Sequence, residues 1–517
     1  MVAIPKIDAL VTPLVRGESP GCAVAVMQDG HVIHSRGYGL ADLEHGVPIT
    51  PATVFHAASL SKQFTAFAVL ALAADGRLSL DDDVRKHAPD AVPDFGARIT
   101  LRHLLHHTSG LRDQWRLLRL AGWRAMDEKT TDDVLEFVQR QKDLNFRPGE
   151  DFLYCNTGYT LLAAVVERVS GTSLRDFASE RIFRPLRMEA TRFRADHRDL
   201  VKGRAFGYAD DGDGIFRFWV PNFDLIGSTS LHTSVEDLIR WARNLMEPRP
   251  ADAGIVEDML RHGALNDGTP VGYGAGVGIA VHRGLKIVRH SGWDLGYEAH
   301  LAVYPDERFA VAILGNLSTL RPALMARRMA EVRLADRFTD PPPTRRNPPE
   351  AELLQEQGLY RHPLSGIAWW VGLSEGVLRT GPALDVSLDP LGARKFRGPD
   401  EVTEVAFDGT TMSIRDEFGV VQRFERVASW VPGSAKLAAY AGTYRSLELD
   451  ATLTFEMAGD ALRVGHSKWP PTTASPADKD AFTDDTATYM FTRNPTGAVD
   501  GLTLSLERAY RLRFDRV

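Results

Sequence analysis

Ser59 and Lys62 stand three residues apart in the stretch Phe55-His56-Ala57-Ala58-Ser59-Leu60-Ser61-Lys62-Gln63-Phe64-Thr65. On a helix that spacing puts a hydroxyl and an amine on one face, where the amine can take the hydroxyl's proton and turn it into a nucleophile. Residues 66–74 are all apolar, so the helix through them is a buried one, and Asp75-Gly76 closes it. A helix start fixed to a buried rod is rigid. It also aims free N–H groups and the positive end of the helix dipole at Ser59, which suits a reaction that develops negative charge there. The pair is the only S-x-x-K in the chain, against roughly one half expected by chance from the composition. Taken alone it could equally be a capping Ser beside a surface Lys.

Two further groups carry chemistry. Tyr154-Cys155-Asn156 lies where the loop from Arg147-Pro148-Gly149 runs into a helix, and chance supplies only about 0.2 such Y-x-N triplets. His290-Ser291-Gly292 falls on a predicted strand, where Gly292 would let a substrate backbone come close. Gly17-Glu18-Ser19-Pro20-Gly21 has the letters of a nucleophile elbow, but it joins a helix to a strand and Pro20 has no N–H for an oxyanion hole, so it is set aside. Cys22 and Cys155 are the only cysteines, which excludes a disulfide framework and a multi-Cys zinc site; Cys155 reads as a small buried filler. Gly272-Tyr273-Gly274-Ala275-Gly276 precedes no helix and is not read as a phosphate loop.

The elements that must position these groups follow from pattern. Residues 21–28 and 31–39 read as strands joined by Asp29-Gly30, preceded by a helix over 5–16. Helices are expected over 99–107, 131–142, 157–170 and 319–337, and from Thr233 to Met246, where Thr233-Ser234-Val235-Glu236 offers a capping box. Strands are expected over 271–281, 285–291, 297–304 and 308–315. The fold class is therefore α+β, an antiparallel sheet flanked by helices over residues 1–337. A proline linker occupies 338–350. Beyond it Gly358-Leu359-Tyr360-Arg361 and Leu378-Arg379-Thr380-Gly381 recur 84 residues later as Gly442-Thr443-Tyr444-Arg445 and Leu462-Arg463-Val464-Gly465. Arg423-Phe424-Glu425-Arg426-Val427 recurs as Arg513-Phe514-Asp515-Arg516-Val517, so two small antiparallel β-barrels are expected, 351–431 and 432–517.

With 517 residues, 44% apolar and 25% charged, the chain is that of a globular protein of several domains. The net charge of -7 and the lack of a basic cluster exclude nucleic acid and an anionic membrane as partners. The longest apolar run, 66–74, is too short to cross a bilayer, and Met1 to Asp8 shows no signal-peptide pattern, so a cytoplasmic location is expected.

S-x-x-K, Y-x-N and H-x-G in that order resemble the serine β-lactamase and penicillin-binding-protein superfamily, over most of residues 10–335. Ser109-Gly110-Leu111-Arg112-Asp113, the H-x-G strand and the two trailing barrels look most like its bacterial D-aminopeptidases. The resemblance implies a β-lactamase-like catalytic domain in which Ser59 is the nucleophile and Lys62 and Tyr154 share the task of taking its proton. Both must then have depressed pKa values, and which of them is the base stays open. Asn156 would bond Lys62 and the substrate amide, His290 would brace Tyr154, and the oxyanion would meet the backbone N–H groups of Ser59 and Trp293. His103, His106 and His107 fall in a helix-to-turn segment of the family, so no metal is expected; neither is any cofactor. His290 replaces the Lys that binds substrate carboxylates elsewhere in the superfamily, and Arg289 beside it faces away along the strand, which favours substrates with no carboxylate next to the scissile bond.

The activity expected is that of a serine hydrolase working through an acyl-enzyme, a D-aminopeptidase or D-amino-acid amidase. Alternatives are a β-lactamase-type carboxylesterase, a peptide acyl transferase or cyclase, and a non-catalytic peptide or β-lactam sensor. The partner expected is a small-molecule or short-peptide substrate, with a homodimer as the assembly considered. By analogy with the D-aminopeptidases, residues 465–485 are the candidate for a barrel loop that reaches the site and restricts substrate size.

Overall fold

The computed structural model describes residues 4–15 and 17–517. The chain opens with α1 (Ile4–Val11) and the hairpin β1 (Cys22–Gln28) and β2 (His31–Tyr38). Three long helices follow in the middle of the unit, α2 (Ser61–Ala74), α3 (Asn156–Ser170) and α4 (Val235–Met246). Then come β3 (Gly278–His282), β4 (Leu285–Asp294), β5 (Tyr297–Tyr304), β6 (Phe309–Gly315) and α5 (Pro322–Arg333). The strands form one six-stranded sheet in the order β3-β4-β5-β6-β1-β2, antiparallel throughout.

Both faces of this sheet are covered, and the residue alternation shows how. Ala23, Ala25 and Met27 of β1, with Ala310, Ala312 and Leu314 of β6, face the core that holds α2, α3 and α4. Cys22, Val24 and Val26, with Phe309, Val311 and Ile313, face α1 and α5. Small side chains on the first face let the helices lie close to the sheet, and larger ones fill the second. That is why β1 reads as a nearly continuous apolar run and not as an alternating one.

Several expected elements are redrawn. The helix expected over 5–16 stops at Val11 and continues as a 3-10 turn to Leu14, residue 16 lying outside the described residues. The helix over 99–107 is only Leu101–Leu105, opened by a capping box between Thr100 and His103. Those over 131–142 and 319–337 shorten to Thr131–Gln139 and Pro322–Arg333. α4 is capped by Ser234, which accepts from Asp237 N, instead of by the Thr233–Glu236 box. The strand over 271–281 is broken into Pro270–Val271 and Gly278–His282. Between them Gly276, at φ +77, turns the chain so tightly against α2 that a Cβ there would stand 2.6 Å from Lys62 O. β4 is longer than expected, running on through Gly292 to Asp294.

Residues 341–349 carry no helix or strand. Past them stand two closed barrels of eight antiparallel strands, one from Gly358–Arg361 to Val421–Val427 and one from Gly442–Ser446 to Ala509–Arg516. The sequence repeat has a physical basis. Tyr360 Oη donates to Glu356 O at 3.0 Å and Tyr444 Oη to Tyr440 O at 2.8 Å, and Arg426 and Arg516 lie over those two rings at 5.1 and 5.8 Å. Each module thus closes its first strand onto its last with the same tyrosine–arginine pair. The second barrel joins the apolar core of the catalytic unit, whereas the first keeps a core of its own. The first barrel instead sends Phe418 into a small cluster with Phe152, Val271 and Tyr273, against which Tyr154 packs.

Candidate active site

Of residues 53–72 only Ser59 is not buried. Ser59 lies two residues before α2, in a 3-10 turn (Ala58–Leu60), so it precedes the α-helix that was expected to contain it. Ala58 ahead of it has φ +46, a conformation a non-glycine residue holds only when its surroundings impose it. Here they do: Ser61 Oγ donates to Ala58 O at 2.6 Å and accepts from Leu231 N at 2.9 Å. β4 presses on the same turn. A Cβ on Gly292 would stand 2.3 Å from Ala57 O and 3.2 Å from Ser59 N, so Gly292 serves the close approach of the protein's own turn where a substrate backbone was expected. His56 and Asp294 tie the turn to the end of β4 at 3.0 Å. Trp293, the next residue after Gly292, is 59% exposed.

Lys62 is completely buried, and its Nζ reaches three oxygens: Ser59 Oγ at 2.9 Å, Asn156 Oδ1 at 2.8 Å and Ser228 O at 2.7 Å. Burial lowers its pKa to about 7, with Asp113 and Asp294 pulling it up and Arg508 pushing it further down. A neutral amine has two N–H groups and one lone pair. With the N–H groups on Asn156 and Ser228, the lone pair faces the Ser59 hydroxyl. Asn156 is itself fixed, because Asp113 Oδ2 accepts from its backbone N and its Nδ2, both at 2.8 Å.

Tyr154 behaves otherwise than expected. Its ring lies parallel to Phe418 at 6.1 Å and 4.4 Å from His107, and burial pushes the phenol above its ordinary value; a hydrogen bond with Ser59 and the charge of Arg508 offset this only in part. It is therefore a proton-bearing phenol, and the depressed pKa that the resemblance required is found on Lys62 alone. His290 meets Tyr154 only ring against ring and makes its Nε2 hydrogen bond to another tyrosine. Its Nε2 is bonded to Tyr273 Oη at 3.0 Å, the Tyr154 ring standing 6.1 Å away, because the break in the strand at 272–276 turns Tyr273 inward. Burial and the nearby Lys62 charge push His290 down to about 3, so it stays neutral. Arg289 faces the other side of β4, as expected, and donates to Glu417 O at 2.7 Å. Cys155 is a buried filler whose thiol burial pushes up to about 12.

Ser59, Lys62, Tyr154, Asn156, His290 and Gly292 are thus brought together. The sequence reading missed Asp113, Tyr273 and Ser228. The first two sit inside segments whose letters were noticed, but nothing in a lone Asp or Tyr tells which side chain it will hold, and Ser228 contributes only its carbonyl. Both barrels also reach the site. A cavity of about 700 Å³ next to Tyr154 and His290 is walled by Phe418 of the first barrel and by Glu507, Arg508 and Tyr510 of the second. Of residues 465–485 only Thr483 and Asp485 line it. The tip of that stretch packs behind the cavity wall, His466 Nε2 and Trp469 Nε1 donating to the carbonyls of Leu120 and Arg119, both at 3.0 Å, two residues that themselves line the cavity.

An antiparallel sheet between helices, with a partly buried serine bonded to a fully buried lysine at the start of the central helix, defines a serine hydrolase of the β-lactamase and penicillin-binding-protein class. The chain belongs to the Beta-lactamase family, whose profile matches residues 7–334. It is similar to a D-aminopeptidase of Cereibacter sphaeroides, 30% identical over 550 aligned positions that cover 99% of this chain and 98% of that one. Its fold is similar to that of the octameric penicillin-binding protein homologue from Pyrococcus abyssi (TM-score 0.58, 22% identity, 90% of this chain and 99% of that one). It is also similar to that of the D-amino acid amidase from Ochrobactrum anthropi (TM-score 0.54, 23% identity, 65% and 98%). Among the described residues no helix is long and apolar enough to cross a membrane.

Proposed function

We propose that the protein is a D-aminopeptidase or D-amino-acid amidase that releases N-terminal D-residues through an acyl-enzyme on Ser59. The observation that carries the chemistry is the 2.9 Å contact between Ser59 Oγ and a Lys62 amine whose pKa burial lowers to about 7. Neutral Lys62 takes the Ser59 proton as Oγ attacks the scissile carbonyl. The oxyanion meets the N–H groups of Ser59 and Trp293, a role supported by the packing of Gly292 on the Ser59 turn. Tyr154, carrying its proton beside Ser59, passes it to the leaving nitrogen and recovers one from Lys62. Water then attacks the ester, and the same groups act in reverse. The substrate side of the reading is supported by the full-length similarity to a D-aminopeptidase.

A stereo-paired panel of amino-acid p-nitroanilides tests it. The D-alanine anilide is expected to be cleaved at least about 100-fold faster than its L-enantiomer, a difference of about 2.7 kcal/mol in transition-state binding. Equal rates, or preference for the L-form, would overturn the assignment while leaving the serine chemistry intact.

A further inference from the structure

The H-x-G strand brings no cation to the site, but the far end of the chain does. Arg508 sits in the tight turn between the last two strands of the second barrel, at φ +66. Its Cζ stands 5.7 Å from the centroid of the Tyr154 ring, and Lys62 Nζ is 4.9 Å from the same centroid. The guanidinium and the catalytic amine therefore stand against the same aromatic ring. The turn that delivers it is fixed to the catalytic unit: Arg508 O accepts from Asp113 N at 3.0 Å, and Tyr510 N donates to Asn145 Oδ1 at 2.8 Å.

Glu507 and Asp113 are the carboxylates whose charges act on Arg508. Among the described residues the only carboxylate partner of Arg508 is Glu507, whose Oε1 lies 3.1 Å from Nε. The other oxygen of Glu507 pairs with Arg116. Two guanidinium groups thus share one carboxylate, and both line the 700 Å³ cavity. Of the other acids that line the cavity, Glu417 and Asp485 among them, Asp416 and Asp400 are turned onto their own loops. Asp416 Oδ1 accepts from Phe418 N and Val420 N, and Asp400 Oδ1 from Val402 N and Thr403 N.

We propose that Arg508 is the carboxylate anchor of this site, binding the free C-terminal carboxylate of a short peptide one residue beyond the scissile amide. One residue spans about 3.6 Å, and a guanidinium fork holds a carboxylate through two hydrogen bonds. The preferred substrates are then dipeptides and short peptides with a free carboxylate, over amides, anilides and esters. This reverses the expectation drawn from His290 alone. It rests on the reading of Ser59 as the acyl-forming nucleophile.

The test compares the full-length protein with Arg508→Asn, which tolerates a left-handed backbone, and with Arg508→Lys. The readout is the ratio of kcat/KM for D-Ala-Gly to that for D-Ala-Gly amide. The wild type is expected to favour the free carboxylate, the Asn variant to lose about 10-fold or more of that ratio, and the Lys variant to recover part of it. A ratio unchanged in Arg508→Asn, or a wild type that favours the amide, would overturn the anchor. Should neither peptide be cleaved, the D-aminopeptidase reading fails, and the anchor is read instead from the rate at which benzylpenicillin and its methyl ester acylate Ser59. There the wild type is expected to react faster with the free acid and Arg508→Asn to lose that advantage; equal rates in the wild type overturn it.

Discussion

Replacing Lys62 with methionine should lower kcat/KM by about 10³- to 10⁴-fold, the upper part of the range for a positioned general base. Methionine fills the same buried volume, so the loss measures the amine and not the packing. Lys62→Arg should fail as badly, since a guanidinium keeps its proton throughout the useful pH range. The wild-type pH profile checks the same point. Lys62 acts only when neutral, and its pKa is lowered to about 7, so kcat/KM should climb as pH rises through about 7 and level off above it. Below that value it should fall about tenfold per pH unit. A profile that is flat through neutrality, or a Lys62→Met variant that keeps a tenth of the activity, would assign the base elsewhere.

Glu448→Ala should be the most damaging substitution outside the site. Glu448 Oε2 accepts from Arg112 Nη1 at 2.8 Å and from Lys142 N at 2.9 Å, and the ion pair is buried, 1% and 8% of the two side chains being exposed. Removing one partner leaves a guanidinium uncompensated in a medium that solvates it poorly, at a cost of about 3–5 kcal/mol. Arg112 also donates to Gln141 Oε1 and to the carbonyls of Tyr510 and Arg511, so it fastens the second barrel's last turn to the catalytic unit. That turn leads on to Asp113, Asn156 and Lys62, so activity should fall along with stability. Denaturant unfolding and kcat/KM on the same samples measure both. The double variant Arg112→Met/Glu448→Leu should regain much of the stability, since it removes the stranded charge. A loss below about 1 kcal/mol in Glu448→Ala would show that the pair does not hold the barrel.

What the sequence made legible was local. Ser59 and Lys62 are one turn apart, and the apolar run after them can only be a buried helix, so the chemistry at its start could be read from spacing. The two barrels were legible because the tyrosine–arginine closure of each module leaves the same letters twice. What depends on packing between distant segments was not legible. Tyr273 reaches His290 only because Gly276 turns the chain back, and a glycine-spaced apolar stretch reads as well as a continuous strand. The pKa of Tyr154 is decided by Phe418 and His107 closing over it, neither of which is near it in sequence. Arg508 carries no local signal at all: it is an arginine in a hairpin turn, and its meaning comes from Asp113 and Asn145 receiving that turn.

The central claim is that Ser59 becomes acylated in turnover, and mass spectrometry tests it directly. The full-length protein is quenched in acid during hydrolysis of a D-alanyl ester, and the added mass is mapped to a peptide. The expected result is one D-alanyl group on Ser59, with no adduct and no turnover in Ser59→Ala. An adduct on any other residue, or Ser59→Ala turning over at a comparable rate, would contradict it.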